Sequence, residues 1–288
     1  MAHGISEVGK TTLVESLREF VCDRRGVFCS GKFFQNTGVN EPYSAIMTAF
    51  SDLCDLVSQS HDFDEDRTKE ICQTLGPDCG VLSRVISNLG SVVTGTMTVE
   101  GGDTVDPQND VAYTKFKVAC MHFLHAMASP KHPTVMFLDD IQWMDKGSLH
   151  LIKMLLHDVS FKNFFLLFSY RDENADKIDS LFSSHEIKSR VIDVHVECLE
   201  RTAVRDLIAI SLEANSAGEH HFSNVLSKRT AGNPFHILQL MEHIKKEGLL
   251  TAQHDGKGSF WSVDADVIRE QVEVSDSVAG LLARKAER

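Results

Sequence analysis

The stretch Gly4-Ile5-Ser6-Glu7-Val8-Gly9-Lys10-Thr11 decides the fold, and a helical pattern of apolar residues begins at its end. It fits the pattern Gly-x-x-x-x-Gly-Lys-[Ser/Thr], in which glycines let successive backbone N–H groups point at phosphate oxygens. The N-terminus of the following helix adds a partial positive charge. Average residue usage gives roughly one chance match in a hundred chains of this length. We therefore interpret the stretch as a phosphate-binding loop.

The polar residues of this loop have distinct expected roles. Lys10 would place its ammonium between the β- and γ-phosphates, and the Thr11 hydroxyl would bind Mg²⁺. The residues expected to contact the nucleotide here are Gly4, Ser6, Glu7, Val8, Gly9, Lys10, Thr11 and Thr12. Glu7 is unusual in a loop that holds an anion, because its carboxylate weakens phosphate binding unless it points to solvent.

Apolar runs and helical patterns alternate along the first two-thirds of the chain. The runs lie at 26–34, 134–138, 163–170 and 190–196, and the helical patterns at 11–22, 44–57, 113–127 and 148–159. Continuous apolar runs are typical of strands that are covered on both faces of a parallel sheet. The alternation predicts an α/β fold, a parallel P-loop NTPase sheet flanked by helices.

A phosphate loop normally follows a strand, but only three residues precede Gly4. We expect the first strand to be missing and the chain to be a fragment that lacks its N-terminal segment. The pattern also stops at Arg288 inside a predicted helix, which predicts an incomplete C-terminal domain.

Strand patterns become rare after residue 198. Helical patterns follow at 202–214, 222–229, 234–247 and 275–287, and the glycine-rich stretch 254–261 predicts a short hairpin. The sequence thus predicts a P-loop nucleotide-binding α/β domain over 1–198 and a smaller helical lid domain over 199–288. Two polar stretches, 60–69 and 94–110, predict surface loops or a flexible insertion.

Two carboxylates, Asp139 and Asp140, end the apolar run that begins at Thr134. Ligands of open α/β sheets bind at the carboxyl ends of strands. Asp139 would hold Mg²⁺, through water, and Asp140 would orient or deprotonate the attacking water. The alternative is that the pair only caps the next helix.

The segment Leu138-Asp139-Asp140-Ile141-Gln142-Trp143-Met144-Asp145 resembles the acidic motif of STAND-class P-loop ATPases. Within that class it is most similar to the origin-recognition-like AAA ATPase domain of large signalling proteins. Four further stretches resemble that family in the same order: 31–35, 42–45, 168–172 and 232–235.

The resemblance implies an ATP-binding switch with weak hydrolysis, in which the bound nucleotide sets the orientation of the helical lid. It places Arg171 near the γ-phosphate as a sensor, and Asn233 and Pro234 against the nucleotide. Alternatively, Arg171 is a loop arginine paired with Asp172 or Glu173. Gly232-Asn233-Pro234 is alternatively a plain helix start, with proline in the first turn.

The composition excludes several classes of protein. The 29 basic and 41 acidic residues give a net charge of −12, which argues against nucleic-acid binding. We find neither an apolar run long enough to span a membrane nor a signal-peptide pattern at the N-terminus.

The seven cysteines form no C-x-x-C pair, so we expect reduced thiols and a cytoplasmic protein. The 14 histidines show no metal-binding spacing, so Mg²⁺ with the nucleotide is the one metal expected.

The sequence therefore predicts a regulatory NTPase module that binds MgATP and hydrolyses it slowly as a conformational switch in signalling. Its expected partners are other domains of a larger signalling protein or separate proteins, and a nucleotide-dependent oligomer is a further expectation. The alternatives are a nucleotide-binding scaffold module without hydrolysis and a GTPase. The chain has no [Asn/Thr]-Lys-x-Asp segment to read guanine, which counts against the GTPase.

Overall fold

The computed structural model describes residues 1–35, 42–60, 63–93, 110–212, 219–255 and 258–263. The chain divides into two compact units. Unit 1 comprises Met1–His3 and Lys10–His195, and unit 2 comprises Gly4–Gly9 and Val196–Arg288. Within the described residues, none of the helices has the length and apolar character needed to cross a bilayer.

A sheet flanked by helices organises the first part of the chain, as predicted, and it has five strands. Its strands are β1 (Ala2–Gly4), β2 (Val27–Lys32), β3 (Thr134–Asp139), β4 (Phe164–Arg171) and β5 (Val194–His195). They lie in the order β2-β3-β4-β1-β5. The pairs β2–β3, β3–β4 and β1–β5 are parallel. The last strand is shorter than the predicted run 190–196, since only two of its residues pair.

The expectation that the first strand is missing was wrong. Ala2 pairs with Val194 and His3 pairs with His195, and β1 lies between β4 and β5. The amino group of Met1 also donates a hydrogen bond to the backbone oxygen of Ile192. A strand this short forms because its neighbours on both sides supply the pairing, a tertiary effect that no local apolar run reports.

Nine helices are described around this sheet. They are α1 (Lys10–Glu15), α2 (Leu17–Asp23), α3 (Ser44–Ser58), α4 (Glu65–Leu75), α5 (Cys79–Leu82), α6 (Asp110–Met127), α7 (Lys146–His157), α8 (Ala175–Leu181) and α9 (His185–Lys188). The predicted helix 11–22 is divided at Ser16, whose hydroxyl donates to the backbone oxygen of Leu13 at 2.7 Å. In β3 the successive side chains Met136, Phe137 and Leu138 are all buried, so both faces of the sheet are covered there.

The predicted loop over 60–69 was wrong in its second half, where α4 begins. Asp64 caps this helix by accepting a hydrogen bond from the Arg67 amide at 2.8 Å. The acidic residues Glu65 and Asp66 occupy the first turn, where the helix dipole favours negative charge. Ile71 is buried against the core. The second predicted loop, 94–110, lies outside the described residues up to position 109.

Unit 2 contains three described helices, α10 (Arg201–Leu212), α11 (Glu219–Thr230) and α12 (Pro234–Lys246). They share a small core whose buried members are Val204, Ile208, Leu212, Phe222, Leu226, Ile237, Leu240, Met241 and Ile244. The predicted hairpin is confirmed as the antiparallel pair β6 (Leu250–Asp255) and β7 (Gly258–Val263). The predicted helix 275–287 lies outside the described residues.

Candidate functional site

The carboxyl end of β3 lies beside the start of α1, as the motifs predicted. Asp139 is the last residue of β3 and is buried. The Thr11 hydroxyl donates a hydrogen bond to its Oδ2 at 3.0 Å. The expected Mg²⁺ ligands, which are 128 positions apart in the sequence, therefore share one hydrogen bond.

Two further side chains hold the Asp139 carboxylate. Ser169 of β4 donates its hydroxyl hydrogen to Oδ1. The ammonium of Lys32, at the end of β2, lies 2.8 Å from Oδ2. Lys32 and Asp139 are paired residues in the β2–β3 register, so the strand alignment itself brings them together. Because a buried carboxylate is costly without partners, these contacts stabilise the Asp139 side chain in the sheet.

Asp140 adopts a left-handed backbone conformation, with φ 58° and ψ 46°. This turn directs the chain away from the strand, and the Asp140 amide donates to the Ser169 hydroxyl at 3.1 Å. Its carboxylate lies 2.9 Å from the Lys32 ammonium. It also accepts a hydrogen bond from the side-chain amide of Gln142 at 2.9 Å. Asp140 does not cap a helix through its side chain, which disfavours the cap alternative.

The electrostatics keep Asp140 ionised. Burial alone would raise its pKa, but the hydrogen bonds from Lys32 and Gln142 and the charges of Lys32 and Arg171 outweigh burial. The pKa of Asp140 therefore lies below its ordinary value. In Lys32, burial is likewise outweighed by the bonds to Asp139 and Asp140, and its pKa is raised.

Lys10 begins α1 and is buried, with 7% of its surface exposed. Burial lowers the pKa of its ammonium, and the charges of Asp140, Asp172 and Asp139 oppose that shift. The nearby positive charge of Arg171 adds to the lowering. A cation held among carboxylates at a helix N-terminus is suited to bind the oxygens of an anionic phosphate chain.

Arg171 ends β4, which runs parallel to β3, so the carboxyl ends of the two strands lie at the same edge of the sheet. Its charge acts on both Lys10 and Asp140. Asp172, one of its proposed alternative partners, instead contacts His3 at 2.8 Å and His195 at 3.3 Å.

The oxygen atoms near Asp139 fit a magnesium ion by their chemistry. A threonine hydroxyl and carboxylates are the hard oxygen ligands that Mg²⁺ prefers. The Lys32 ammonium contacts both carboxylates, so the structure already holds a cation against them. Thr11 and Asp139 are the residues that would hold Mg²⁺, and the other groups would surround it.

The loop Gly4–Gly9 is packed within unit 2. Asn233 donates its side-chain amide hydrogen to the backbone oxygen of Ser6 at 3.1 Å. The same side chain caps α12 by accepting from the Phe235 amide at 3.1 Å. Asn233 is therefore both the start of a helix, as the alternative held, and a direct contact of the phosphate loop. Pro234 occupies the first turn of α12, and an added Cβ at Gly9 would lie 3.8 Å from its Cγ.

The side chain of Glu7 is half-exposed to solvent. Its carboxylate is 3.3 Å from Nε2 of His236, and its backbone φ is 64°. The side chain that seemed unfavourable for anion binding is thus paired with an imidazole. Because 43% of the Glu7 side chain is exposed, water screens the repulsion that its charge would exert on phosphate.

A family described as "AAA ATPase domain" matches residues 2–167, more than half of the chain. The chain belongs to this family. The match confirms the predicted AAA-type P-loop ATPase. Its matched range includes the phosphate loop and the acidic end of β3.

Two relatives show different degrees of similarity to this AAA ATPase domain. The chain is 33% identical over 157 residues to hybrid signal transduction histidine kinase G of Dictyostelium discoideum. That match covers 53% of this chain and 4% of the relative. The solved structure of Drosophila ORC bound to AT-rich DNA and Cdc6 contains a chain that is 10% identical, with a TM-score of 0.32. This second match covers 96% of our chain and 85% of the other.

Sequence reasoning missed two residues of the site, Lys32 and Ser169. Neither belongs to the two motifs, and each reaches Asp139 from a neighbouring strand. Both residues lie in stretches that resemble the family, 31–35 and 168–172, but the pairing of Lys32 with Asp139 depends on the strand register, which no local pattern reports.

Proposed function

We propose that this AAA ATPase domain binds MgATP and hydrolyses it slowly, as a STAND-class conformational switch in a signalling protein. The contact that best supports this proposal is the 3.0 Å hydrogen bond between Thr11 and Asp139, with Asp140 following in the chain. A hydroxyl and a carboxylate so arranged match the ligand set that binds Mg²⁺ with a triphosphate.

Binding is assigned to the phosphate loop and Lys10. Backbone N–H groups of 4–12 would surround the phosphate oxygens, and the Lys10 ammonium would bind the β- and γ-phosphates. When bound, Mg²⁺ supplies charge neutralisation on the phosphate oxygens. In-line transfer to water depends mainly on positioning and electrostatics, so the loss of Lys10 should reduce both affinity and rate.

Hydrolysis is assigned to Asp140. Its carboxylate would accept a hydrogen bond from the attacking water and orient it toward the γ-phosphate, while Arg171 would stabilise negative charge there. In the described conformation this carboxylate is bound by Lys32 and Gln142. Each of its oxygens already has one partner, so the attacking water would have to share the carboxylate with them, which supports slow turnover.

The switch is assigned to the contact between Asn233 and Ser6. Asn233 is 3% exposed, and its amide joins the phosphate loop to the first turn of α12. Movement of the loop when phosphate binds would therefore act directly on the start of this helix. Asn233 and Pro234 would sense the nucleotide through the loop, as positioning residues.

The proposed signalling role rests on the similarity to part of a histidine kinase. In that role the chain would contact other domains of a larger protein or separate protein partners. A nucleotide-dependent oligomer belongs to the same proposal.

The cysteines Cys29, Cys54 and Cys120 are buried. Buried thiols of this kind suit a reducing compartment, so we propose the cytoplasm.

The test compares wild type, Asp140→Asn and Asp158→Asn in steady-state phosphate release and in ATP binding. Asp158 is a matched control because it is an aspartate at the C-terminal end of α7, bound to His125 at 3.2 Å. We expect Asp140→Asn to lower turnover by roughly 10²–10⁴-fold, as the loss of a general base does, while ATP still binds. Asp158→Asn should match wild type.

A non-hydrolysing nucleotide-binding module is the second candidate, because the Asp140 carboxylate is already engaged by two partners. Equal and near-zero turnover in wild type and Asp140→Asn, with intact ATP binding, would establish it. Competition between ATP and GTP in the same binding assay tests whether the site prefers adenine or guanine. Preference for GTP would overturn the choice of ATP.

A further inference from the structure

Two histidines and an aspartate meet at one edge of the site, in unit 1. His3 comes from β1, Asp172 follows β4, and His195 ends β5. Their ligand atoms all lie within 4.8 Å of one another. Among the residues that the structure describes, they form the one group of three such side chains with this geometry.

We propose that His3, Asp172 and His195 bind a divalent transition-metal ion of the Zn²⁺ type, at a site separate from the Mg²⁺ ligands Thr11 and Asp139. The site requires no nucleotide, so it stands independently of ATP binding.

The distances between the donor atoms are close to those of a coordinated ion. Nδ1 of His3 is 2.8 Å from Oδ1 of Asp172, and Nε2 of His195 is 3.3 Å from Oδ2. A tetrahedral ion about 2.0–2.1 Å from its ligands separates them by about 3.4 Å. The two histidines contact different oxygens of Asp172, so a rotation of the carboxylate would bring one oxygen to the ion. The three ligand atoms already lie within 4.8 Å of one another, so the adjustment needed is small.

The surroundings hold the donors in place. The His3 ring stacks on the buried ring of Tyr170, with centroids 5.3 Å apart and an angle of 13° between the planes. The Cα pairing of His3 with His195 fixes the two histidine backbones side by side. A constraint that orients an imidazole before binding favours metal affinity, because less freedom is lost when the ion arrives.

The chemistry of the donors selects the metal. Two imidazoles and one carboxylate favour Zn²⁺ and similar transition ions over Mg²⁺, which prefers oxygen ligands and keeps its waters. The side chains of His3, Asp172 and His195 are 23%, 32% and 50% exposed. This exposure gives an ion a path from solvent and leaves room for water as a fourth ligand.

Other histidine–aspartate pairs in the same unit provide matched comparisons. His122 lies 2.6 Å from Asp78, and His122 is 48% exposed, much like His195. That pair brings one histidine to one carboxylate, so it offers fewer ligands. His122→Ala removes an equally exposed imidazole and its carboxylate contact, and leaves the proposed site intact.

The experiment is titration of the metal-free chain with Zn²⁺ by calorimetry, without nucleotide, for wild type, His195→Ala, Asp172→Asn and His122→Ala. Wild type and His122→Ala should bind one Zn²⁺ with equal affinity. We expect His195→Ala and Asp172→Asn to weaken binding by roughly 10–100-fold or more, since even partners of ligands contribute this much. Mg²⁺ added in the same range should not displace Zn²⁺.

A parallel titration with Co²⁺ distinguishes these donors from the seven cysteines of the chain. A nitrogen and oxygen site gives weak visible absorption bands, whereas thiolate ligands add intense charge-transfer bands in the near ultraviolet. Spectra without thiolate bands that are lost in His195→Ala support the site. Unchanged Zn²⁺ affinity in His195→Ala and Asp172→Asn, an equal loss in His122→Ala, or a thiolate spectrum would overturn it. Unfolding curves measured in a chelator confirm that each variant is folded.

Discussion

Lys32 is the cation that the structure holds between the two carboxylates of the site, so its replacement is a sensitive test. Its ammonium lies 2.8 Å from Asp139 and 2.9 Å from Asp140. Lys32→Met keeps the length and apolar stem of the side chain but removes the charge. The acidic pair then lacks its nearest counter-charge.

The size of the effect follows from the distances and the exposure. The side chain of Lys32 is 47% exposed, so water screens its charge strongly. With a dielectric constant of about 80, charges 2.9 Å apart interact by about 1.4 kcal/mol. We expect the pKa of Asp140 to rise in Lys32→Met, because the ammonium that lowers it is gone. The free energy of unfolding should fall by about 1–3 kcal/mol at neutral pH, since two carboxylates are affected.

The pH dependence has a definite sign. The pKa of Asp140 is depressed in the folded protein, so its ionised form contributes stability above its unfolded pKa. That stability is lost as pH falls through the folded pKa. In Lys32→Met the loss of stability in acid should therefore begin at a higher pH than in wild type.

Thermal unfolding across acidic to neutral pH, with and without Mg²⁺ and without nucleotide, measures both effects. Mg²⁺ should stabilise Lys32→Met more than wild type, because the ion can replace the missing charge. Lys69→Met is the control, since Lys69 contacts an exposed carboxylate at 3.2 Å in a helical pair. If Lys32→Met unfolds like Lys69→Met at every pH and shows no added response to Mg²⁺, the electrostatic reasoning is refuted.

Three further changes have defined outcomes. Gly31→Ala should destabilise the protein by roughly 1–3 kcal/mol or more in chemical unfolding, because its Cβ would lie 2.0 Å from the Ala45 backbone oxygen. Asn233→Ala should cost about 1–2 kcal/mol in the same assay from the lost helix cap, whereas Asn233→Asp should recover the cap but not the Ser6 contact. Thiol titration of the folded chain should modify the exposed Cys22 quickly and spare Cys29, whose burial raises the pKa of its thiol.

The sequence predicted the parts of the fold that local pattern controls. The strands β2, β3 and β4 are continuous apolar runs, and buried parallel strands require that pattern. The phosphate loop and the acidic end of β3 were found by spacing alone. The start of α4 could also have been found, because Asp64 followed by two acidic residues is an ordinary helix start.

Other features depend on distant pairing and left no local pattern. The strand β1 has three residues and forms because Ala2 and His3 meet β5. Lys32 reaches the site through the β2–β3 register, and His3 meets Asp172 across 169 positions. Sheet order and register decide these contacts, and neither can be derived from composition or periodicity.

The central claim is that the phosphate loop binds MgATP, and equilibrium binding of ATP in the presence of Mg²⁺ tests it most directly. Lys10→Ala is the decisive variant, because this buried ammonium is the one assigned to the β- and γ-phosphates. Wild type should bind ATP with Mg²⁺ dependence, and Lys10→Ala, shown to be folded by its unfolding curve, should lose at least tenfold in affinity, or about 1.4 kcal/mol. Equal affinity in the two proteins, or binding that does not respond to Mg²⁺, would contradict the account.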